Sequence, residues 1–260
     1  MAKRIGLPGF LIGSSLLALL GGCALHMPLS GDLASKAQEM RVQRKHAILT
    51  NRIKWVHFGP YNVEDIRIRG KATDRKGGFG HTKMNTETRY GYRVQAEAGI
   101  VWTCDCLNRA EREDYFPLLG RARELGYLVT LECGLTPSGG GVPWKMTLIE
   151  EDSSGNDLRG NLSDGVGLIE VSGTHAYQGR KVRSPQHTGF LFQDVTGPLG
   201  AVELLGKQKV LLQPQISPEK RSLLAAVSAS LLLYEDLNER MKEEMRNKSG
   251  TGLQVVSADP

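Results

Sequence analysis

No stretch of this sequence of 260 residues is apolar for long enough to cross a membrane as a helix. The two longest apolar segments, Ile5 to Leu20 at about sixteen residues and Leu223 to Tyr234 at twelve, fall short of the roughly 20 that a spanning helix needs. Cysteine is scarce, with Cys23, Cys104, Cys106 and Cys133 the only four. The C-x-C spacing of Cys104 and Cys106 lacks the second C-x₂-C pair of a zinc ribbon, so no metal site is expected. The six histidines, His26, His46, His57, His81, His175 and His187, build no H-E-x-x-H helix and flank no G-x-S-x-G elbow. Gly77-Gly78-Phe79-Gly80 and Gly139-Gly140-Gly141 lack the following Gly-Lys-Ser/Thr of a phosphate-binding loop and read as turns. Nothing here implies a cofactor. A strong excess of one charge is missing too: 33 Lys and Arg stand against 28 Asp and Glu, which gives no argument for a nucleic-acid partner.

What is present begins at the N-terminus. Lys3 and Arg4 precede the apolar run, Pro8 and Gly9 break it, and small residues follow it, the order of an export signal. The run ends in Leu20-Gly21-Gly22-Cys23. This resembles the lipobox of bacterial lipoprotein precursors, an aliphatic residue and two small ones before a cysteine. The resemblance covers only the first two dozen residues. It implies a diacylglyceryl group on the Cys23 thiol, cleavage between Gly22 and Cys23, and a freed amine open to acylation. Several acyl chains at about 0.8 kcal/mol per buried methylene anchor a protein without a spanning segment. Ala24 follows where inner-membrane lipoproteins of diderm bacteria often carry aspartate, so in a diderm host the resemblance implies the outer membrane, facing the periplasm.

Residues 1–22 are thus expected to be removed as a signal peptide. The leader carries two basic residues and no acidic ones, leaving 31 against 28, a net of +3. Residues 23–45 read as a polar, lipidated tether with one or two helical turns, 46–246 as a single β-rich domain with a C-terminal helix, and 247–260 as a loose tail. Arg41, Arg44, Lys45, Arg52, Lys54, Arg67, Arg69, Lys71, Arg75 and Lys76 follow the anchor. They could press against anionic head groups or sit on solvated loops and strand faces.

Period-two alternation dominates the middle of the chain. From Met84 to Cys106 the even positions are mostly apolar and the odd positions mostly polar, the pattern of an antiparallel sheet with one face on a core. The run exceeds one ordinary strand, so a turn near Glu97 to Gly99 is expected to split it. Shorter runs recur at Val63–Arg69, Gly126–Leu135, Trp144–Glu150, Gly167–Gly173, Gly189–Asp194, Ala201–Leu205 and Lys209–Leu212, divided by turn-rich stretches. The spacing of Asn108–Arg123 predicts a short helix interrupted at Pro117. Ser217-Pro218 reads as an N-cap followed by proline at the first helical position, opening a helix to about Arg246. Its first half is apolar on nearly every side, which asks for protein all round it. The fold class is therefore mainly β, an antiparallel sandwich or barrel with a hydrophobic helix packed centrally, and α+β is the alternative. The last strands and this helix resemble the tubby and scramblase-related barrels, in which strands enclose a final apolar helix. No residue-level signature is matched, so that family's lipid binding attaches to no position here.

After the anchor three cysteines remain. In an oxidising envelope compartment they allow one bridge, from Cys133 to Cys104 or to Cys106, or three buried free thiols. An acid–base or nucleophilic site could assemble from His175, His187, Asp164 and a serine, though no motif demands it. The leading functional expectation is a lipid-anchored envelope protein that binds a protein or lipid partner, or supports assembly, without catalysis. An envelope hydrolase built from scattered residues and a lipid or small-ligand carrier are the alternatives. The hydrolase needs a buried histidine within reach of both a serine and a carboxylate, and the carrier an apolar cavity of roughly 300 Å³ or more.

Overall fold

Alternating side chains become a wall when every strand turns its apolar face to one axis. The computed structural model describes residues 25–46, 53–78, 80–96, 99–115, 123–151 and 157–250. Twelve strands are found there: β1 Gln38–His46, β2 Ile53–Phe58, β3 Tyr61–Gly78, β4 His81–Gln95, β5 Val101–Tyr115, β6 Arg123–Pro137, β7 Trp144–Glu151, β8 Arg159–Ser163, β9 Leu168–Thr174, β10 Gly189–Asp194, β11 Gly197–Glu203 and β12 Lys209–Leu212. They pair antiparallel with their sequence neighbours, and β1 pairs with β12 to close a barrel. Closure pairs every strand on both sides for at least part of its length, although β3 beyond Val63 pairs with β4 alone. The helices are α1, Gly31–Lys36, and α2, Pro218–Gly250.

Helix α2 threads the barrel. Ser217 caps it, its Oγ accepting from the Lys220 amide at 3.2 Å, and Pro218 fixes the first turn. From Leu223 to Glu235 every residue is buried. The wall grips the helix through polar contacts as well as apolar ones. Tyr92 donates to the Ala226 carbonyl at 2.9 Å, Tyr90 to the Ser230 carbonyl at 3.1 Å, and Trp102 Nε1 to Ser222 Oγ at 3.1 Å. Ser228 bonds back to the Leu224 carbonyl at 2.7 Å, so its hydroxyl does not stay unpaired in the core. The mainly-β class with a centrally packed helix is the architecture found, and the sandwich and α+β alternatives fall away.

The expected strands fall on β3 to β7 and β9 to β12, with Gly167 lying before β9 and Leu204 and Leu205 after β11, and the long alternation splits between Gln95 and Val101. Three expectations need correction. The described part of the segment read as a tether, residues 25–45, packs on or belongs to the barrel. Met27 and Leu33 are fully buried against Ala201 and Leu211 on the outer wall, and β1 completes the ring. Second, Asn108–Arg123 holds no helix in its described part, because β5 runs on to Tyr115 beside β4 and β6. Third, β2 and β8 are strands that the alternation did not mark. The tail expected from residue 247 is helical to Gly250, and 251–260 lie outside the described residues.

Candidate functional site

The apolar lining stops where α2 passes Tyr234. There Glu235 and Asp236 join a cluster of side chains from three parts of the wall. Arg44 of β1 donates to the Asp236 carboxylate. His187, just before β10, has a side chain only 3% exposed and stands between two carboxylates. Its Nδ1 is 3.5 Å from Glu235 and its Nε2 is 3.9 Å from Glu150 of β7, and neither nitrogen has hydrogen-bond geometry. The His187 ring packs on His175 at 4.4 Å and Phe190 at 5.1 Å between centroids. His175 Nδ1 lies 3.0 Å from the Ser184 carbonyl, and its Nε2 lies 4.0 Å from Asp157. Asp157 in turn accepts from Arg183 at 2.6 Å and Arg159 at 3.2 Å.

Burial first, and then the adjoining His187, hold His175 below the usual histidine range, while the Ser184 carbonyl and Asp157 oppose them. Burial likewise pushes the Tyr234 phenol well up. The cluster ties the departing helix to β1, β7 and the segment between β9 and β10. It closes the barrel end with polar contacts where the apolar core stops.

The residues suggested for catalysis are not assembled. His175 and His187 do come together, but Asp164 lies at the other rim, in the turn between β8 and β9. There its Oδ1 accepts from the Gly167 and Val166 amides at 2.7 and 3.0 Å, and those bonds lower its pKa. The serine oxygen meeting His175 is a carbonyl, and the Ser184 hydroxyl accepts from the Gln186 amide at 3.1 Å. Among the described residues no group of three His, Cys, Asp or Glu is placed to hold a metal ion. Gly22 and Cys23 lie outside the described residues. Cys106 and Cys133 stand opposite each other in the β5–β6 register and are joined as a disulfide. Cys104, one pleat away on the same inner face, is a buried free thiol, pushed up to about 12 by burial.

Two openings stand out among the described residues. A cavity of about 220 Å³ sits where β3 parts from β2, lined by Ile53, Ile66, Ile68, Tyr90, Leu233 and Asp236 among others. Only Tyr61–Val63 of β3 pair with β2, and register shifts after Glu64 and Ile68 carry β3 outward. The second opening is a groove of about 780 Å³ on the outer face between β3 and β8. Arg69 faces Asp105 at 3.5 Å there, Lys145 faces Glu132 at 3.4 Å, and Trp144 supplies an aromatic wall.

Several of these residues escaped the reading of the sequence, and parity in the strands was the available signal. Glu150 shares the inward parity of Met146 and Leu148, and Arg44 that of Met40 and Val42. Charges at inward positions mark where a core ends or a partner waits. Glu203 is different: it is buried from outside, under the N-terminal segment, where it meets His26 at 2.7 Å and Lys209 at 3.3 Å. No pattern along β11 announces that cover. Comparison of the chain with protein-family models, curated proteins and solved structures finds no match in any of the three.

Proposed function

We propose that this protein is a lipid-anchored cell-envelope module that binds a protein partner on the outside of its barrel and performs no catalysis of its own. The observation that carries the reading is the filled interior. Helix α2 occupies the space that an open barrel would offer a ligand, so recognition falls to outer surfaces. The groove along β3 to β8 has what a partner needs: paired charges for register, an aromatic wall, and Gly134, whose missing side chain leaves open space at its floor. The anchor is Cys23, after cleavage at Gly22, and in a diderm host it holds the module at the outer membrane, facing the periplasm.

Photo-crosslinking in intact cells tests the binding face. A crosslinking residue at Trp144 should trap one dominant protein adduct, and Arg69→Glu with Lys145→Glu should remove it. A crosslinker at Glu170, on the exposed side of β9, should not trap it. Equal adducts from both positions would refute the groove. The ring of twelve strands around a C-terminal helix supports a second reading, kinship with the tubby and scramblase-related barrels. For a lipid or small-ligand carrier the described residues offer the cavity of about 220 Å³ beside Tyr90. That is short of the roughly 300 Å³ at which drug-sized pockets begin. Mass spectrometry of small molecules extracted from the native protein decides that alternative.

A further inference from the structure

The chain after the anchor is not a spacer. His26 is held at three points: its Nδ1 lies 2.7 Å from Glu203, its carbonyl accepts from the Gln178 amide at 2.8 Å, and Met27 beside it is fully buried. Cys23 precedes His26 by three residues, so their Cα atoms are within about 11 Å of each other whatever path the chain takes. A lipid on Cys23 therefore brings one particular part of the barrel to the bilayer. That part is the rim where α2 leaves, on the side of β9 to β11.

Two loops flank His26 there. The first, residues 175–187, is the one whose Gln178 binds His26, and it carries Arg180, Lys181 and Arg183. The second, residues 204–208, carries Lys207, and the Leu204 amide donates to the Thr188 carbonyl at 3.0 Å, setting it beside the first. Neither loop contains a carboxylate. Arg183 is engaged by Asp157, whereas Arg180, Lys181 and Lys207 are exposed with no ion-pair partner among the described residues. Val182, 71% exposed, stands among them.

We propose that Arg180, Lys181 and Lys207 form a face that docks on anionic lipid head groups, with Val182 entering the head-group boundary, so that the barrel sits on the membrane in one fixed orientation. The proposal rests on the lipoprotein reading of Cys23. The occupant is an anionic bilayer because the anchor delivers one within reach and the charge is complementary. Each basic side chain at such a surface strengthens binding about fivefold, and an apolar residue adds burial at the acyl boundary. Of the basic residues that follow the anchor in sequence, three are engaged by carboxylates, Lys76 by Asp74 among them. Arg44 is turned inward to Asp236, and Arg69 faces Asp105.

The test uses the full chain made in a bacterium that processes lipoproteins, with lipid on Cys23 checked by mass. The protein is reconstituted into vesicles of phosphatidylglycerol and phosphatidylcholine, and separately of phosphatidylcholine alone. A polarity-sensitive fluorophore is placed at Val182→Cys or, at the opposite rim, at the fully exposed Val195→Cys; the native Cys104 is buried and does not compete. The label at 182 should shift to the blue and be quenched by a lipid-borne quencher in the anionic vesicles, while the label at 195 stays water-like. Arg180→Glu, Lys181→Glu and Lys207→Glu together should abolish the shift with the lipid still attached. Lipid on Cys23 with equal, water-like emission at 182 and 195 overturns the docking face and leaves the anchor standing. A chain without lipid on Cys23 overturns both.

Discussion

Leu231→Ala is the perturbation most sensitive to where α2 sits. Leu231 is fully buried in the middle of the helix, so truncation removes its transfer free energy and leaves a void that the surrounding strands, hydrogen-bonded on both sides, cannot collapse into. Such changes cost about 2–5 kcal/mol, a large share of the roughly 5–15 kcal/mol that holds a domain together. A domain of this size should lose about 2–4 °C of Tm per kcal/mol. The assay is urea unfolding without reductant, followed by tryptophan emission, since Trp102 bonds directly to Ser222 of the helix. The midpoint should fall with the slope unchanged, which separates lost stability from a changed unfolded state. Val195→Ala, at a fully exposed site, should stay within about 0.5 kcal/mol. A loss below about 1 kcal/mol for Leu231→Ala would refute the central placement of the helix.

Thiol counting on the denatured, unreduced mature protein should find one reactive cysteine, Cys104, and a peptide joining Cys106 to Cys133; alkylation of all three would remove the bridge. Closing 27 residues of chain should stabilise by roughly 3 kcal/mol, read as the drop in urea midpoint for Cys106→Ser. Tyr92→Phe should cost about 1–2 kcal/mol, because the Ala226 carbonyl loses a buried donor and the Ser230 hydroxyl a hydrogen-bond partner; an unchanged midpoint would show that the wall does not grip the helix there. His175 is held below the usual 6.5, so the unfolded chain takes up its proton first as pH falls. Its contribution is fully present above about 6.5 and is lost as pH drops through the folded value. His175→Gln should therefore flatten the acid side of the stability profile between pH 7.5 and 5, and a profile parallel to that of the parent protein would contradict this.

Where inward positions are apolar, the sequence shows its strands plainly: β4, β5 and β6 alternate over most of their length. β2 escaped although Val56 and Phe58 are buried in the core, because six residues hold too few alternations to stand out; elsewhere the inward positions are not all apolar. β1 offers only Met40 and Val42 before Arg44, whose charge is answered by Asp236 on a helix 192 residues away. β8 contains Gly160, where a Cβ would lie 1.9 Å from the Thr147 carbonyl oxygen. A side chain is excluded there by the close approach of β7, and the glycine reads locally as a turn. In the far half of β5 the inward residues include Asn108 and Asp114, both buried, so polarity and Pro117 together mimic a capped helix. The disulfide stayed ambiguous because Cys104 and Cys106 share a face, and only the register of β5 on β6 decides which one meets Cys133. The polar cluster around His187 joins residues from β7, α2 and the segment before β10, and no local pattern connects them.

The apolar half of α2 was legible for the opposite reason. Twelve residues with no polar stripe are too short for a bilayer and too apolar for a surface, so burial inside the protein was the remaining solution. The N-terminal docking on the outer wall was not legible, since the apolar residues from Leu25 to Leu33 are few and are interrupted by Pro28 and Gly31, so they keep no sustained period. It bears most on the proposed anchor, because it makes a segment read as a spacer part of the barrel's outer wall.

The most direct test of the account is the intact mass of the N-terminal peptide of the mature protein, taken from the membrane fraction of the organism that makes it. The account predicts a chain that begins at Cys23 and carries a diacylglyceryl group on its sulfur, and Cys23→Ser should abolish both the modification and membrane retention. A mature chain that begins elsewhere, or an unmodified Cys23, would contradict it.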